Sequence, residues 1–330
     1  MRFFFTIIFL ISFYSCETNS KSKSLSGIAL GTTFNIKHDS LIDESDIKNS
    51  IDSILKKINK SMSTYDSESD ISKINNGFEI QVDSLFLEVF SKASELWQLT
   101  SGAFDPTVGA FVNAYGFGPK QKIINNLSTI QLDSLLNITG WNKIHLNNNG
   151  YLIKSNKYIH LDFNAIAKGY SVDLISKYLE SVGAKNYLVE IGGEISARGI
   201  SPNSNKPWKI GIDYPESSLS KRNNFTTHIL NNRSIATSGN YRHFRIDKKT
   251  GKKYVHTIDP RTGYPIESNI LSTSVTAAKC MTADAWATSL MVLSLDDGLA
   301  LIEKDIDLQA FWIISTENRI EPVYSSGWKK

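Results

Sequence analysis

The feature that most constrains this fold is a succession of short apolar runs, separated by glycine, proline and asparagine turns. These runs predict strands at 28–37, 151–153, 158–162, 187–191, 194–199, 208–213, 225–230, 234–237, 254–258, 270–278, 309–315 and 320–324. Apolar residues at helical spacing predict helices at 43–60, 84–99, 167–181 and 283–293. Because strands and helices mix without strict βαβ alternation, we expect an α+β fold with a largely antiparallel sheet and packed helices.

Composition narrows the class of protein. The chain has 330 residues, of which 41% are hydrophobic and 21% charged, enough for one large domain or two smaller ones. The net charge is only +3 and the basic residues are scattered, so we expect no nucleic-acid partner. Cys16 and Cys280 are the two cysteines, and they do not suggest a disulfide framework.

The N-terminus, "MRFFFTIIFLISFYSC", resembles a lipoprotein signal. One basic residue precedes an apolar run too short to span a bilayer comfortably, which predicts a signal peptide at 1–15. A lipid on Cys16 would anchor the protein on the extracytoplasmic side of a membrane in a bacterial envelope. The polar segment 16–26 would then be a flexible tether. Phe13 stands where leucine is usual in such a signal, and an ordinary secretory signal with a chance cysteine is the alternative.

Two loops near helix starts combine acids with glycine. In "GAFDPTVG" (102–109), Asp105 precedes a proline and could be a helix N-cap. In "HLDFNAIAKGYSVDLI" (160–175), a helix start near Ala165 places Lys168 in its first turn, where a phosphate could bind. The structural alternative is that Asp162 or Asn164 caps this helix and Lys168 is solvated.

A third stretch, "KCMTADAWATSLMVLSL" (279–295), could hold a metal. Asp284 and Thr288 are four residues apart and share a helix face, with alanines around them. A carboxylate and a hydroxyl suit a hard cation such as Mg²⁺, completed by water and phosphate oxygens. Alternatively, Asp284 favours the helix dipole and Thr288 bonds its own backbone. In either case Thr282 could cap the helix.

The fourth stretch, "VHTIDPRTGYP" (255–265), contains His256. Pro260, Gly263 and Pro265 predict a rigid loop that fixes the direction of the chain. The pKa of an unperturbed histidine, near neutrality, suits a general base. A satisfied polar group at a strand end is the alternative.

Seven stretches, including these four, together resemble one family. They are "MSTYDSESDISKIN", "SGAFDPTVG", "LDFNAIAKGYSVD", "LVEIGGEI", "SIATSGNYRHF", "HTIDPRTGYP" and "TADAWATSLMVL". In this order, from about residue 28 to the C-terminus, they resemble the ApbE family, the FAD:protein FMN transferases. The resemblance implies an α+β fold of T-fold type over residues 27–330.

The resemblance also implies a reaction. Members bind FAD and Mg²⁺ outside the cytoplasm and transfer FMN to a threonine or serine hydroxyl of a target protein, releasing AMP. The expected acceptor is a membrane redox-complex subunit, such as one of the Na⁺-pumping NADH:quinone reductase or the Rnf complex, or an extracytoplasmic flavoprotein reductase. The alternatives are hydrolysis of FAD to FMN and AMP, a lipoprotein that binds flavin without turnover, and an envelope interaction protein in which all four loops are only structural.

Site residues are implied by position in the family motifs. The Mg²⁺ ligands would be Asp284, Thr288 and the carbonyl of Ala165, and His256 would deprotonate the acceptor hydroxyl. The residues implied to contact FAD are Leu30, Tyr65, Ala103, Phe104, Asp105, Asp162, Lys168 and Ile258. The sequence departs from the family pattern at Leu30, where methionine is usual, and at Ala287, where many members have an acid.

Overall fold

The computed structural model describes residues 22–119, 127–215, 223–240, 244–246, 253–317 and 319–328. The predicted signal peptide and Cys16 lie outside these ranges. The first strand, β1 (Lys23–Ala29), already begins within the predicted tether 16–26. The last residues of that segment are therefore hydrogen-bonded strand and not flexible linker.

Fifteen strands are found in the described part of the chain. After β1 they are β2 (Thr32–His38), β3 (Ile144–Leu146), β4 (Leu152–Lys154), β5 (Tyr187–Ile191), β6 (Glu194–Arg198), β7 (Ile200–Ser201), β8 (Lys206–Asp213), β9 (Asn224–Leu230), β10 (Ser234–Gly239), β11 (Phe244–Ile246), β12 (Lys253–Val255), β13 (Ile270–Ala277), β14 (Gln309–Ser315) and β15 (Ile320–Tyr324).

Eight α-helices and one 3-10 turn, Trp141–Lys143, are found in the same ranges. The helices are α1 (Glu44–Met62), α2 (Asp70–Asn75), α3 (Ser84–Leu99), α4 (Gly109–Ala114), α5 (Thr129–Asn137), α6 (Ala167–Ser181), α7 (Cys280–Val292) and α8 (Leu295–Ile302). The predicted helices at 84–99 and 167–181 agree with α3 and α6. Within the described ranges, no helix combines the length and the apolar character needed to cross a membrane.

An eight-stranded sheet organises the molecule, in the order β1-β2-β5-β6-β10-β13-β14-β15. Every neighbouring pair in it is antiparallel. A separate sheet contains β7, β8 and β9. The predicted α+β class with a largely antiparallel sheet is thus confirmed.

The main sheet is covered on both faces, which explains the continuous apolar run in β14. In β14, Ala310 and Trp312 pack into the main core with the helices, while Phe311 and Ile313 pack with Trp208 of β8. Successive side chains of a strand point to opposite faces. The sheet therefore lies between a helical layer, which includes α6 and α7, and the smaller β7–β8–β9 sheet.

Three local predictions differ from the structure. The predicted strand 28–37 is a hairpin, because Leu30 and Gly31 both have positive φ and form a two-residue turn between β1 and β2. The polar stretch 62–77, where the sequence predicted neither helix nor strand, contains α2, whose N-cap Ser69 accepts a hydrogen bond from the Ser72 N–H. The predicted strand 158–162 is reduced to a single parallel bridge between Val108 and His160.

Candidate active site

The first turn of α6 contacts α7 through a buried carboxylate. Asp284, 2% exposed, accepts a hydrogen bond at Oδ2 from the Gly169 N–H, 2.9 Å away. A Cβ on Gly169 would lie 2.4 Å from the carbonyl oxygen of Cys280 and 2.7 Å from the Cβ of Asp284. Glycine is therefore required here so that the two helices can approach closely.

The backbone carbonyl of Ala165 lies one residue before Ile166, the N-cap of α6. The N–H groups in the first turn of a helix have no carbonyl of that helix to bond. The N–H of Gly169, one of these groups, donates to Asp284. Within the described part of the chain, no backbone N–H outside the regular elements donates to Ala165 O. The carbonyl predicted to be a metal ligand is thus available beside the carboxylate predicted to be another.

The start of α7 differs from the prediction. The helix begins at Cys280 after the N-cap Lys279, so Thr282 lies inside the first turn and is not the cap. Asp173 of α6 accepts hydrogen bonds from the N–H groups of Cys280 at 2.7 Å and Met281 at 2.9 Å. A side chain from a neighbouring helix therefore caps α7. Burial, opposed by these two hydrogen bonds, raises the pKa of Asp173 to about 6.

Lys168 lies between two buried carboxylates. Its Nζ is 2.5 Å from Oε1 of Glu194, the first residue of β6, and 3.8 Å from Oδ1 of Asp284. Burial lowers the pKa of Lys168, but the charges of Asp284 and Glu194 outweigh it and bring the pKa above its ordinary value. Burial, opposed by Lys168, raises the pKa of Glu194 above its ordinary value. The positive charge of Lys168, which the sequence suggested could bind a phosphate, thus already lies beside two carboxylates.

Two hydrogen bonds, joined by the backbone of residues 238–240, link Thr288 to the loop that contains His256. The hydroxyls of Thr288 and Ser238, near the end of β10, are 3.2 Å apart. Two residues after Ser238, the side chain of Asn240 accepts a hydrogen bond at 2.7 Å from the hydroxyl of Thr257. His256 is half-buried and makes an edge contact with Phe117, with ring centroids 6.4 Å apart. The predicted base and the predicted metal ligands thus belong to one connected region.

The loop 255–265, predicted to be rigid, makes contacts both within itself and with α4. The carboxylate of Asp259 accepts hydrogen bonds from Nε and Nη2 of Arg261, at 2.9 and 2.8 Å. Gly263 has φ +74°, and a Cβ there would lie 2.4 Å from the Phe111 ring. The hydroxyl of Tyr115 donates to the carbonyl of Gly263 at 3.0 Å. The loop is therefore fixed both by its own ion pair and by packing on α4.

Asp105 organises the loop 102–109 but is not a helix N-cap. One carboxylate oxygen accepts from the N–H and hydroxyl of Thr107, and the other accepts from the Trp141 N–H at 2.8 Å. The N-cap of α4 is Val108. Burial, opposed by these hydrogen bonds, raises the pKa of Asp105. Ala103 and Phe104, predicted to line a cofactor site with it, are buried in the main core.

Asp162 and Tyr65 lie beside this loop. The N–H of Asp162 donates to the carbonyl of Pro106 at 2.8 Å, and its side chain accepts from the Asn164 N–H. The N-cap of α6 is Ile166, so neither Asp162 nor Asn164 caps that helix. Tyr65 is 65% exposed, and burial together with the charge of Asp162 raises its pKa. An exposed ring close to a carboxylate remains available to a ligand.

Leu30 and Ile258 both lie in apolar surroundings. Leu30, in the β1–β2 turn, has φ +52° and is partly buried. It packs against the main core and also against a second hydrophobic core, which contains Ile47 and Ile51 of α1. Such a backbone conformation is unusual for a bulky residue. Ile258 is buried with Phe111, Tyr115 and Leu132. Ala287, the departure from the family pattern, is fully buried and its carbonyl accepts from the Thr273 hydroxyl.

Sequence reasoning did not identify Glu194 as part of the site. The acid begins the predicted strand 194–199, in "LVEIGGEI", and an acid in a strand that becomes buried needs a partner. The described residues contain no cluster of three or more His, Cys, Asp or Glu side chains able to hold a metal. A divalent cation at this site would therefore rely on hydroxyl and carbonyl oxygens beside Asp284.

Comparison with known proteins identifies the family of this chain. The model of the ApbE family matches residues 30–312. The FAD:protein FMN transferase of Haemophilus influenzae is 38% identical over 97% of this chain and 94% of its own length. The structure of the flavin transferase ApbE from Vibrio cholerae superposes with a TM-score of 0.84 and 35% identity, covering 93% of this chain and 98% of that one. The apo flavinyl transferase ApbE of Pseudomonas stutzeri gives a TM-score of 0.83 at 30% identity, with 93% and 95% coverage. This chain belongs to the ApbE family.

Proposed function

We propose that this chain transfers FMN from FAD to a threonine or serine hydroxyl of another protein and releases AMP. The observation that carries the proposal is the connected arrangement of Asp284, Thr288, the Ala165 carbonyl and the His256 loop. The matched relatives are named FAD:protein FMN transferases, which agrees with this reaction.

In the proposed reaction the acceptor hydroxyl attacks the phosphorus of the FMN half of FAD. A new P–O bond to the acceptor forms, the diphosphate P–O bond breaks, and AMP leaves with the bonding electron pair. His256 accepts the proton of the hydroxyl. The rigid loop around Asp259, Arg261 and Gly263 restricts where the imidazole can lie, and such restriction of a base is a large part of catalysis.

The residues present fit Mg²⁺. The site offers a carboxylate, a hydroxyl and a backbone carbonyl that has no backbone donor among the described residues. These are oxygen ligands of the kind that Mg²⁺ binds together with phosphate oxygens. Asp284, Thr288 and Ala165 would hold the ion, and the chemistry it supplies when bound is neutralisation of the diphosphate charge. FAD would extend from there toward Tyr65, Asp162 and the loop 102–109.

We further propose that the protein is lipid-anchored through Cys16 on the extracytoplasmic side of a membrane. The support is the sequence of residues 1–16 alone. The acceptor would then be an extracytoplasmic part of a membrane redox complex, which a tethered enzyme can reach. Mass spectrometry of the mature N-terminus, with Cys16→Ser as the control, tests the anchor. A mature chain without lipid on Cys16 contradicts it.

A flavinylation assay tests the reaction. The protein is incubated with FAD, Mg²⁺ and an acceptor domain from a membrane redox subunit, beside the same domain with its target threonine replaced by alanine. The expected result is an acceptor that gains the mass of one FMN with equimolar AMP, and no gain in the alanine control. AMP and free FMN without any labelled acceptor would instead indicate a hydrolase. Intact FAD throughout would exclude both activities.

A further inference from the structure

The two carboxylates around Lys168 hold it unequally. The distance from Nζ to Glu194 Oε1 is 2.5 Å, which is a hydrogen-bonded ion pair, and the distance to Asp284 Oδ1 is 3.8 Å, beyond hydrogen-bond reach. Both acid side chains are only 4% exposed. The ammonium group of Lys168 is therefore assigned to Glu194, although a second buried acid lies within ion-pair distance.

The position of Lys168 matters because of what Asp284 does. Oδ2 of Asp284 accepts the Gly169 N–H, so Oδ1 is the oxygen left for a cation. A lysine hydrogen-bonded to Oδ1 would occupy that oxygen and cancel the charge of Asp284. With Glu194 present, the formal charges of Lys168, Glu194 and Asp284 sum to −1 when all three are ionised, and such a charge would attract a divalent cation.

The surroundings of Glu194 fix its position and bury its carboxylate. It follows Gly192 and Gly193, which have φ +64° and +107°, at the start of β6. Its Oε2 is buried without a hydrogen-bond partner in the described structure. Of the two oxygens of this carboxylate, Oε1 makes the ion pair, so burial of the acid depends on Lys168. A buried acid that lost this pairing would be costly, which keeps the pair together.

We propose that Glu194 is a positioning residue that holds Lys168 away from Asp284 and so keeps Oδ1 of Asp284 available to the divalent cation. This inference rests on the proposed function, since it assumes that Asp284 is a metal ligand. In this role Glu194 contacts neither the cation nor FAD. It acts by fixing where the positive charge of Lys168 lies.

Metal binding by the full chain tests the proposal without an activity measurement. Mn²⁺ is titrated into each variant and free Mn²⁺ is followed by electron paramagnetic resonance, with Mg²⁺ as competitor. Glu194→Gln keeps the size and removes the charge, so Lys168 should turn to Asp284 and the affinity should fall roughly 10- to 100-fold, the range for residues that support metal ligands. Lys168→Met combined with Glu194→Gln should restore most of the affinity, because the competing cation is gone.

Two further variants make the result specific. Glu194→Asp keeps the charge, so this variant should bind Mn²⁺ more tightly than Glu194→Gln. This comparison remains valid even if the double variant does not fold. Glu88→Gln is the matched control, since Glu88 also pairs with a lysine, Lys279 at 3.8 Å, and should leave the affinity unchanged. Circular dichroism of each variant shows whether it is folded.

The outcomes separate this inference from the proposed function. Wild-type affinity in Glu194→Gln, or no recovery in a folded double variant, overturns the positioning role alone. Equal Mn²⁺ binding by wild type and Asp284→Asn, or none by either, overturns the metal site and the positioning role with it.

Discussion

At the scale of single residues, His256 is the side chain on which the proposed chemistry depends most directly. We expect His256→Asn to lower kcat for flavin transfer by about 10²- to 10⁴-fold, the usual contribution of a general base, with FAD affinity little changed. Flavinylation reactions stopped at set times give kcat, and a fluorescence titration with FAD gives the FAD affinity. His145→Asn is the matched control because His145 is exposed on β3. Similar losses in both variants would argue against a base at His256.

Gly263 tests whether the rigidity of the same loop has a steric origin. Gly263→Ala would place a methyl group 2.4 Å from the Phe111 ring, at φ +74°. We expect a loss of roughly 1–2 kcal/mol from the left-handed backbone and roughly 1–3 kcal/mol more from overpacking. Urea unfolding measures the change in free energy.

Gly183→Ala is the matched control for this prediction. Gly183 has φ +84°, and a Cβ there would meet nothing within 4 Å. It should therefore lose only the backbone contribution. If both variants lost the same stability, the contact with Phe111 would not constrain the loop.

At the scale of helices and strands, the sequence predicted some element boundaries better than others. α3 and α6 were predicted to the residue or nearly so, because their apolar spacing and the glycine after α6 are local signals. The start of α7 was missed, since its N-terminal N–H groups are capped by Asp173, more than a hundred residues earlier. A cap supplied from another helix leaves no local sequence pattern.

The Asp173 cap makes stability depend on pH in a defined direction. The pKa of Asp173 in the folded chain is about 6, above its ordinary value of 3.8. The folded state then binds the proton more tightly than the unfolded state, so this group stabilises most below about pH 4. That stabilisation, roughly 3 kcal/mol at most, is lost as the pH rises through about 6.

Urea unfolding of wild type and Asp173→Asn between pH 4 and 7 measures this contribution. The free energy of unfolding of wild type minus that of the variant should fall as the pH rises. Asp133→Asn, at an exposed position of α5, should give a flat difference. If the difference for Asp173 rose with pH instead, the hydrogen bonds and the α7 dipole would outweigh burial.

At the scale of the whole molecule, the sequence indicated which segments form the site but not how they meet. Each acid- and glycine-bearing loop was visible as a local pattern. The pairing of Lys168 with Glu194, and the connection from Thr288 through Asn240 to Thr257, depend on the order of strands in the main sheet. That order is set by long-range packing, on which a single sequence carries no local signal.

Because the site is built from segments between Leu30 and Thr288, its ligands should stabilise the whole fold and not one loop. A ligand that binds only the folded state adds about 2.7 kcal/mol at a hundredfold excess over Kd, which raises Tm by several degrees. We expect Mg²⁺ and FAD together to raise Tm by more than the sum of their separate effects. Three protein oxygens leave a Mg²⁺ shell incomplete, and the diphosphate of FAD would complete it.

Differential scanning fluorimetry with Mg²⁺, FAD, both or neither measures this coupling. In Asp284→Asn, Mg²⁺ alone should no longer raise Tm, and the two ligands together should no longer raise Tm by more than the sum of their separate effects. FAD alone should still raise Tm in part. Asp296→Asn, an exposed acid in the first turn of α8, should behave like wild type. Strictly additive shifts in wild type would mean that the two ligands bind independently. The cation would then not bridge the chain and the diphosphate, and its role in the transfer would have to lie elsewhere.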